Sequence, residues 1–434
     1  MNYRETIDFL FNSLPMYHRI GKAAYKADIT NTIAMMDHLD NPHKKFKSIH
    51  IAGTNGKGSV SHMMASILQE SGLKVGLYTS PHLVDFRERI RINGKMVTEK
   101  QVSTWVTHHL DYLKKQELSF FEMTVGLAFD IFAQEQVDLA IVEVGMGGRL
   151  DSTNVVTPLM SVITNIGYDH TQFLGNTLDK IASEKAGIIK PGIPIVIGQT
   201  QEETTPVFRQ KANELNSPLF FADQNITINT QAEHSDKIIF DIYHYGTQIA
   251  HNYRCPLGGS YQQKNLVTLF QSIYVLQELG IPIANSHIEN GIANVITNTG
   301  FHGRWEIIGH DPITICETAH NIDGIRAMLN KLSTIDYRQL HIVYGCVNDK
   351  DFVEILNILP KNACYYYTEP SVPRKMPVEQ LSETAERIGM AGNVFKDVHE
   401  AIACACSNAQ KDDLILITGS IFLVADVLSG SKSN

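Results

Sequence analysis

Short runs of β-branched and aliphatic residues punctuate this chain, and between them apolar positions recur at the three-to-four spacing of amphipathic helices. The runs Ile49–Ala52, Val75–Thr79, Leu139–Val144, Met160–Thr164 and Ile195–Ile197 predict strands, and Ser59–Ser71 and Glu122–Gln134 predict helices between them. Such alternation predicts right-handed crossovers and a mostly parallel sheet with helices on both faces. From about 218 to 254 the pattern changes: "KIIFDIYHYG" alternates with period two and helical spacing disappears, which predicts an antiparallel hairpin region. Helices resume at Gln262–Leu279 and His287–Ile296. A second strand–helix series starts near residue 300, with strands Ile313–Cys316, Leu340–Tyr344, Cys364–Tyr367 and Leu414–Ile417, and carries no G-x-G-x-x-G dinucleotide fingerprint. Between the series lies "NTGFHGRW", with two glycines and little periodicity, the expected hinge between residues 1–298 and a smaller unit, 299–434.

Composition narrows the partners. A length of 434 residues fits two or three domains at roughly 100–200 residues each. Hydrophobic residues make up 43% and charged residues 19%, the balance of a packed protein rather than a disordered one. A net charge of -9 argues against duplex nucleic acid or an anionic membrane as the main partner, while leaving room for a local basic phosphate pocket. The opening "MNYRETIDFLFNSLP" reads as an acidic amphipathic helix without the apolar core of a signal peptide, and no apolar run reaches membrane-spanning length. The six cysteines include no C-x-x-C pair, so a reduced, cytoplasmic protein without disulfide framework or zinc site is expected.

In an open parallel sheet, ligands bind beyond the carboxyl ends of the strands. The first predicted strand runs into Gly53-Thr54-Asn55-Gly56-Lys57-Gly58-Ser59, the second into Ser80-Pro81-His82, the third into Glu143 and then "GMGGRLDSTN", the fourth into Asn165, Asp169 and His170. The glycine loop departs from G-x-x-x-x-G-K-[ST]: Ile51 holds the first glycine's place, and Gly58 pushes the hydroxyl to Ser59. It can be an ordinary strand-to-helix turn or a phosphate cradle. A strand before it, a helix after it and the Gly56-Lys57 pair favour the cradle, with backbone N–H groups and a helix N-terminus facing an anion. Glu143 ends an apolar strand, where a carboxylate is costly unless it caps a turn or meets a cation; opposite a phosphate loop that cation would be Mg²⁺. Ser80, His170, Lys185 and Lys190 taken singly read as structural or surface residues. Glu317 and His320 in "ICETAHN" and Arg304 in "HGRWE" gain meaning only if the second domain closes over a nucleotide.

The segments "AGTNGKGS", "YTSPHL", "FFEMT", "EVGMGGRLDSTN", "ITNIGYDHTQFLG", "SEKAGIIK", "HGRWE" and "TGS" occur in this order along the chain. The set resembles the folylpolyglutamate synthase/dihydrofolate synthase family of the Mur ligase superfamily, whose phosphate loop has the same displaced hydroxyl. The resemblance implies an α/β fold, a P-loop-type mostly parallel sheet domain with helices on both faces plus a smaller Rossmann-like α/β C-terminal domain. It implies ATP-dependent joining of L-glutamate to dihydropteroate or a reduced folate through an acyl phosphate, with ATP and Mg²⁺, a monovalent cation such as K⁺ being a further candidate. Carried over by position, Thr54, Asn55, Gly56, Lys57, Gly58, Ser59, Asn265, Arg304, Glu317 and His320 would meet the nucleotide, and Ser80, Glu143 and His170 would hold the metal. Phe120, Phe121, Glu122, Met123, Asp151, Ser152 and Thr153 would line the pterin site, with Lys26-Ala27-Asp28 reaching it from the amino-terminal segment. Lys185 would be carbamylated; Lys57, His170 and Lys185 are the catalytic candidates. The family's usual D-G-A-H-N is Glu317-Thr318-Ala319-His320-Asn321 here, a carboxylate one methylene longer and a glycine lost, and "GCVNDKD" at 345–351 keeps only the family's acidic–lysine–acidic ending. "GGRLDSTN" resembles members with both activities, so both are expected rather than chain extension alone. A cell-wall Mur ligase and a non-catalytic nucleotide-binding module are the competing readings. A monomer is expected.

Overall fold

The computed structural model describes residues 1–14, 28–234, 237–348 and 352–430. Lys26, Ala27 and residues 349–351, named above, lie outside these; Asp28 lies within them.

The described residues form three sheets. The first contains β1 (Lys47–Ala52), β2 (Val75–Tyr78), β3 (Ile90–Ile92), β4 (Lys95–Met96), β5 (Leu139–Glu143), β6 (Met160–Ile163), β7 (Ile195–Ile197) and β8 (Leu219–Phe221), in the order β4-β3-β2-β5-β1-β6-β7-β8. From β2 to β8 every pairing is parallel. Burial follows the pleat on both faces. In β5, Leu139 and Ile141 join the core beneath the Lys57–Glu70 helix, while Ala140 and Val142 join the core beneath the Phe120–Gln134 helix. That double burial explains why the strand reads as a continuous apolar run.

The region 218–254 holds more than a hairpin. Leu219–Phe221 closes the edge of the parallel sheet, and β9 (Ile226–Glu233), β10 (Ile238–His244) and β11 (Thr247–Cys255) form a separate antiparallel sheet in the order β11-β10-β9. Phe240 and Tyr253 of this sheet pack into the same core as Ile49 and Met63. The predicted helix His287–Ile296 is instead two, Asn285–Ala293 and Val295–Thr299, broken at Asn294. The hairpin β3–β4, turned by Asn93 and Gly94 with positive φ, was not apparent in the hydrophobic pattern because its strands are so short.

The third sheet contains β12 (Glu306–His310), β13 (Ile313–Cys316), β14 (Leu340–Tyr344), β15 (Cys364–Tyr367), β16 (Gly392–Val394) and β17 (Leu414–Thr418), in the order β12-β13-β17-β14-β15-β16. Only β12 runs antiparallel to its neighbour. In β14 and β17 the faces again split, Ile342, Tyr344 and Leu416 to one core and Val343, Ile415 and Ile417 to the other.

The antiparallel sheet and the third sheet's layer meet at one buried cation. Lys331, 1% exposed, donates to Glu233 at 2.8 Å and to the His234 carbonyl at 2.9 Å, and its ammonium lies 5.9 Å from the Trp305 ring centroid. Lys331→Ala is expected to destabilise the protein by roughly 3 kcal/mol, the low end for breaking a buried pair because Glu233 keeps some solvent contact. A denaturant midpoint unchanged from that of the parent protein would rule this out.

Candidate active site

The carboxyl ends of β2, β5, β1 and β6 are neighbours, in that order, so the strand ends singled out from sequence converge. The chain moves from β1 to β2 and β5 on one side and to β6 on the other. A crevice opens where the order reverses. A cavity of about 860 Å³ fills it and extends to the C-terminal unit. Its wall carries Thr54, Asn55, Gly56, Lys57, Gly58, Ser59, Ser80, Glu143, His170, Asn265, Arg304, Glu317 and His320 at one end, and Phe120, Phe121, Glu122, Asp151, Ser152 and Asp28 at the other.

The phosphate loop is held from below. Thr54 N–H donates to the Asn165 carbonyl at 3.0 Å, and Asn55 N–H donates to Asn165 Oδ1 at 2.8 Å. Gly56 has φ +86°, and a Cβ there would lie 2.1 Å from Asn265 Oδ1, so both conformation and space require glycine. The helix begins at Lys57, two residues earlier than its apolar spacing suggested, which brings its N-terminus directly onto the loop. Lys57 Nζ donates to the carbonyls of Gly53 and Thr54 at 3.0 and 3.2 Å. Ser59 is buried, and its Oγ accepts from Gln262 at 3.3 Å.

Glu143 is 4% exposed. Its Oε2 accepts the Ser80 N–H at 3.1 Å, while Oε1 faces the position of a Gly58 Cβ at 3.9 Å. Burial pushes its carboxyl up, against the opposing field of Lys57. His170 adopts a left-handed conformation at φ +50° and lies 3.9 Å from Asp169. Among the described residues, no three His, Cys, Asp or Glu side chains cluster as a metal cage.

Lys185 is not the surface helix residue its composition suggested. It is 4% exposed, donates to the Gly53 carbonyl at 3.0 Å, and lines a small adjoining cavity with Lys57, Asp169 and His170. Burial first, then the Lys57 charge, lower its pKa to about 7. Lys190 is half-buried and holds the Asn154 carbonyl at 2.9 Å, a structural role.

At the other end, Ser119 and Glu122 form a reciprocal capping box that starts the helix at Phe120 and turns Phe120 and Phe121 to the cavity. Two expected lining residues are set back. Met123 is fully buried in the core that this helix shares with its neighbours, away from the cavity lining. Thr153 is fully buried and supports the wall: it bonds Asp151 Oδ1 through both N–H and hydroxyl, and its hydroxyl meets His50 Nε2 at 2.8 Å. Asp151 Oδ2 accepts from Met146 N–H at 2.9 Å. Burial pushes the His50 pKa down to about 3. The signal for His50 in the sequence is an imidazole inside the apolar run "SIHIA", a pattern that by itself gives no partner.

The C-terminal unit completes the cavity. Glu317 accepts from Trp305 N–H at 3.0 Å and from the Tyr261 hydroxyl at 3.1 Å, and lies 3.7 Å from Arg304. Its longer side chain is therefore engaged in setting Tyr261 and Arg304. His320 lies 3.6 Å from Asp169. Asn321 caps the helix Ile322–Leu332 through Gly324 N–H at 2.8 Å, and exchanges amide hydrogen bonds with Asn55 at 3.1 and 3.4 Å.

Residues 51–271 match the Mur ligase middle domain, and residues 303–421 match the Mur ligase glutamate ligase domain. The chain is 32% identical to the folylpolyglutamate synthase of Lacticaseibacillus casei over the full length of both. It is 31% identical to the dihydrofolate synthase/folylpolyglutamate synthase of Bacillus subtilis, covering 91% of this chain and 92% of that one. A relative from Haloferax volcanii, named a probable bifunctional folylpolyglutamate synthase/dihydropteroate synthase, is 32% identical over 98% of this chain, which spans 50% of that protein. Among solved structures, Mycobacterium tuberculosis folylpolyglutamate synthase complexed with ADP and AMPPCP aligns over 100% of both chains with a TM-score of 0.88 and 28% identity. E. coli FolC in complex with DHPP and ADP aligns over 100% of this chain and 98% of that one, with a TM-score of 0.86 and 27% identity.

Proposed function

The chain belongs to the Mur ligase family, in its branch of folylpolyglutamate and dihydrofolate synthases, and from that premise we propose that it joins L-glutamate to dihydropteroate and to the γ-carboxylate of reduced folates at the expense of ATP. The observation that carries the reading is the single cavity running from the Lys57 loop past Ser80 and Glu143 to Phe120 and Phe121. A pterin stacked at the aromatic end would place its carboxylate toward the loop.

A carboxylate oxygen attacks the γ-phosphorus, the bond to the β–γ bridging oxygen breaks, and ADP leaves with the electron pair. The glutamate amine then attacks the acyl carbon, phosphate leaves with its bonding pair, and the nitrogen gives up its proton. Such phosphoryl transfer depends on positioning and charge neutralisation, which Lys57, the loop N–H groups and the helix N-terminus provide. Residues Ser80, Glu143 and His170 would hold Mg²⁺. Their fit rests on Glu143, a buried carboxylate directed at the phosphate loop with no lysine or arginine bonded to it among the described residues. The ion would neutralise charge on the phosphate oxygens.

Lys185 is the candidate for carbamylation. Its depressed pKa leaves much of the amine neutral near pH 7, the form that attacks carbon dioxide and then releases a proton. The carbamate would face His170 and Asp169 in the adjoining cavity. We assign residues 1–298 to ATP and pterin binding and 299–434 to the glutamate ligase unit, in a monomeric cytoplasmic enzyme; among the described residues no helix is long and apolar enough to cross a membrane.

The test is phosphate release with ATP, Mg²⁺, L-glutamate and either dihydropteroate or tetrahydrofolate. Turnover with neither sinks the proposal, and turnover with tetrahydrofolate alone reduces it to chain extension, the activity for which the L. casei relative is named. Turnover of a UDP-sugar precursor would point to a cell-wall ligase instead. Within the same assay, Thr153→Val removes the hydroxyl link between His50 and Asp151 and is expected to raise KM for dihydropteroate about tenfold, the scale of one charged hydrogen bond, with KM for ATP unchanged. An equal rise in both KM values would contradict that placement.

A further inference from the structure

The helices Thr30–His38 and Glu99–Lys115 each bring an imidazole to the same point on the surface. His38 Nε2 and His109 Nδ1 stand 3.1 Å apart, with the two rings near perpendicular at 81°. His38 lies flat on the Tyr112 ring, with 3.7 Å between centroids and 5° between planes, and His109 leans on Trp105 at 4.7 Å. Trp105 is buried and donates its indole N–H to Asp130 at 2.8 Å, so the support beneath the pair is fixed. None of these residues lines the large cavity.

Two ring nitrogens that face each other must share one proton or one cation, because two N–H groups or two bare lone pairs would repel. Burial first, then the fields of His108 and His38, lower the His109 pKa to about 4, so near pH 7 this ring is neutral and keeps a lone pair. The separation also fits the bite of a chelate. With metal–nitrogen bonds of roughly 2.0–2.1 Å, nitrogens 3.1 Å apart subtend about 95–102° at the ion, between the octahedral and tetrahedral angles. His38 is exposed and ends its helix. Small side-chain rotations can therefore aim its lone pair, and the partial negative charge at the helix carboxyl end favours a cation there. Asp37, whose charge reaches Tyr112, adds to that field. Among the described residues no group of three or more His, Cys, Asp or Glu side chains could hold an ion, so water would complete the coordination. Imidazole nitrogen suits zinc, copper or nickel, and not Mg²⁺, which takes oxygen. The cysteine pattern, which argued against a zinc site, does not bear on histidine ligands.

We propose that His38 and His109 form a two-nitrogen site for a divalent transition-metal ion of the zinc class, separate from the large cavity. The ion takes the place of the proton that the two rings otherwise share. It ties the carboxyl end of the Thr30–His38 helix to the Trp105–Tyr112 face of the Glu99–Lys115 helix.

Isothermal titration of the full-length protein with Zn²⁺ tests this, with Mg²⁺ and a non-hydrolysable ATP analogue present so that zinc binding inside the large cavity is the same background in every sample. The parent protein is compared with His38→Ala, His109→Gln and, as a control, His108→Ala. We expect one binding event to weaken about tenfold or more in His38→Ala and in His109→Gln, the loss of one arm of a chelate, and to change less than about threefold in His108→Ala. A parent protein that binds Zn²⁺ no more tightly than His38→Ala overturns the proposal. So does a His108→Ala variant that loses as much as His38→Ala, since that result would mark loose binding along a histidine-rich surface. His38 and His108 are both exposed, so these two variants decide the matter even where His109→Gln does not fold.

Discussion

Lys57→Ala is expected to lower kcat on the order of a thousandfold while leaving the thermal midpoint close to that of the parent protein. The ammonium stands at the helix N-terminus, bonded among the described residues to the Gly53 and Thr54 carbonyls, from which phosphate oxygens can draw it at little cost. Charge that develops as the γ-phosphoryl group moves would then lose its nearest lysine. The backbone N–H groups remain, so nucleotide binding should weaken less than turnover does. Steady-state kinetics with an independent nucleotide-binding measurement separate the two, and a variant keeping more than a tenth of parental kcat would remove Lys57 from the transition state. Lys57→Arg is a useful companion, since it keeps the charge but not the compact head group.

The second large effect concerns Lys185. Lys185→Ala should reduce kcat by a similar order, and added formate or acetate should restore part of it by supplying a carboxylate where the carbamate would stand. Failure of every short carboxylate to rescue, with the fold intact, would count against the modification. The pH behaviour offers a second check. The folded pKa of about 7 lies below the roughly 10.4 of an unfolded lysine, so the unfolded chain binds more protons between these values. The burial penalty is therefore fully present below pH 7 and is relieved as pH rises toward 10.4, making stability climb across that window. Labelling with isotopic bicarbonate should likewise rise through pH 7 and level off well before pH 10. An onset near pH 10, the behaviour of an exposed lysine, would mean that the amine is not perturbed in solution.

The phosphate loop was legible because its logic is local: a strand, three glycines, a lysine and a helix in direct succession. The convergence of Ser80, Glu143 and His170 was legible because parallel strands present their carboxyl ends on one side. The start of the Phe120 helix could have been read from Ser119 and Glu122, whose capping box overrides the later onset of apolar spacing. Lys185 also left a trace. It stands on the same stripe as Ile181, Ala182 and Ala186, where a lysine is out of character. Arg89, 2% exposed on the cavity wall beside Phe120, left none, since "FRERIRI" reads equally well as a charged surface turn. The Asn55–Asn321 contact joins residues 266 apart, and nothing within either segment announces the other. Local chemistry survives in sequence; which distant donor meets it does not.

That same pair of asparagines bears on how the enzyme lets go. The link between the phosphate loop and the cap of the Ile322 helix is uncharged on both sides, with no ion pair between Asn55 and Asn321. Exchanging these amides for water changes the free energy by about 1 kcal/mol or so per bond, comparable to thermal energy. Each side chain keeps its own anchor when they part: Asn321 its cap on Gly324, and the Asn55 backbone its bond to Asn165. Parting the two amides unravels no helix end, so this pair by itself poses only a low barrier to the escape of ADP; what charge dependence the parting has comes from the neighbouring Asp169 carboxylate, to which Asn321 also donates at 3.5 Å.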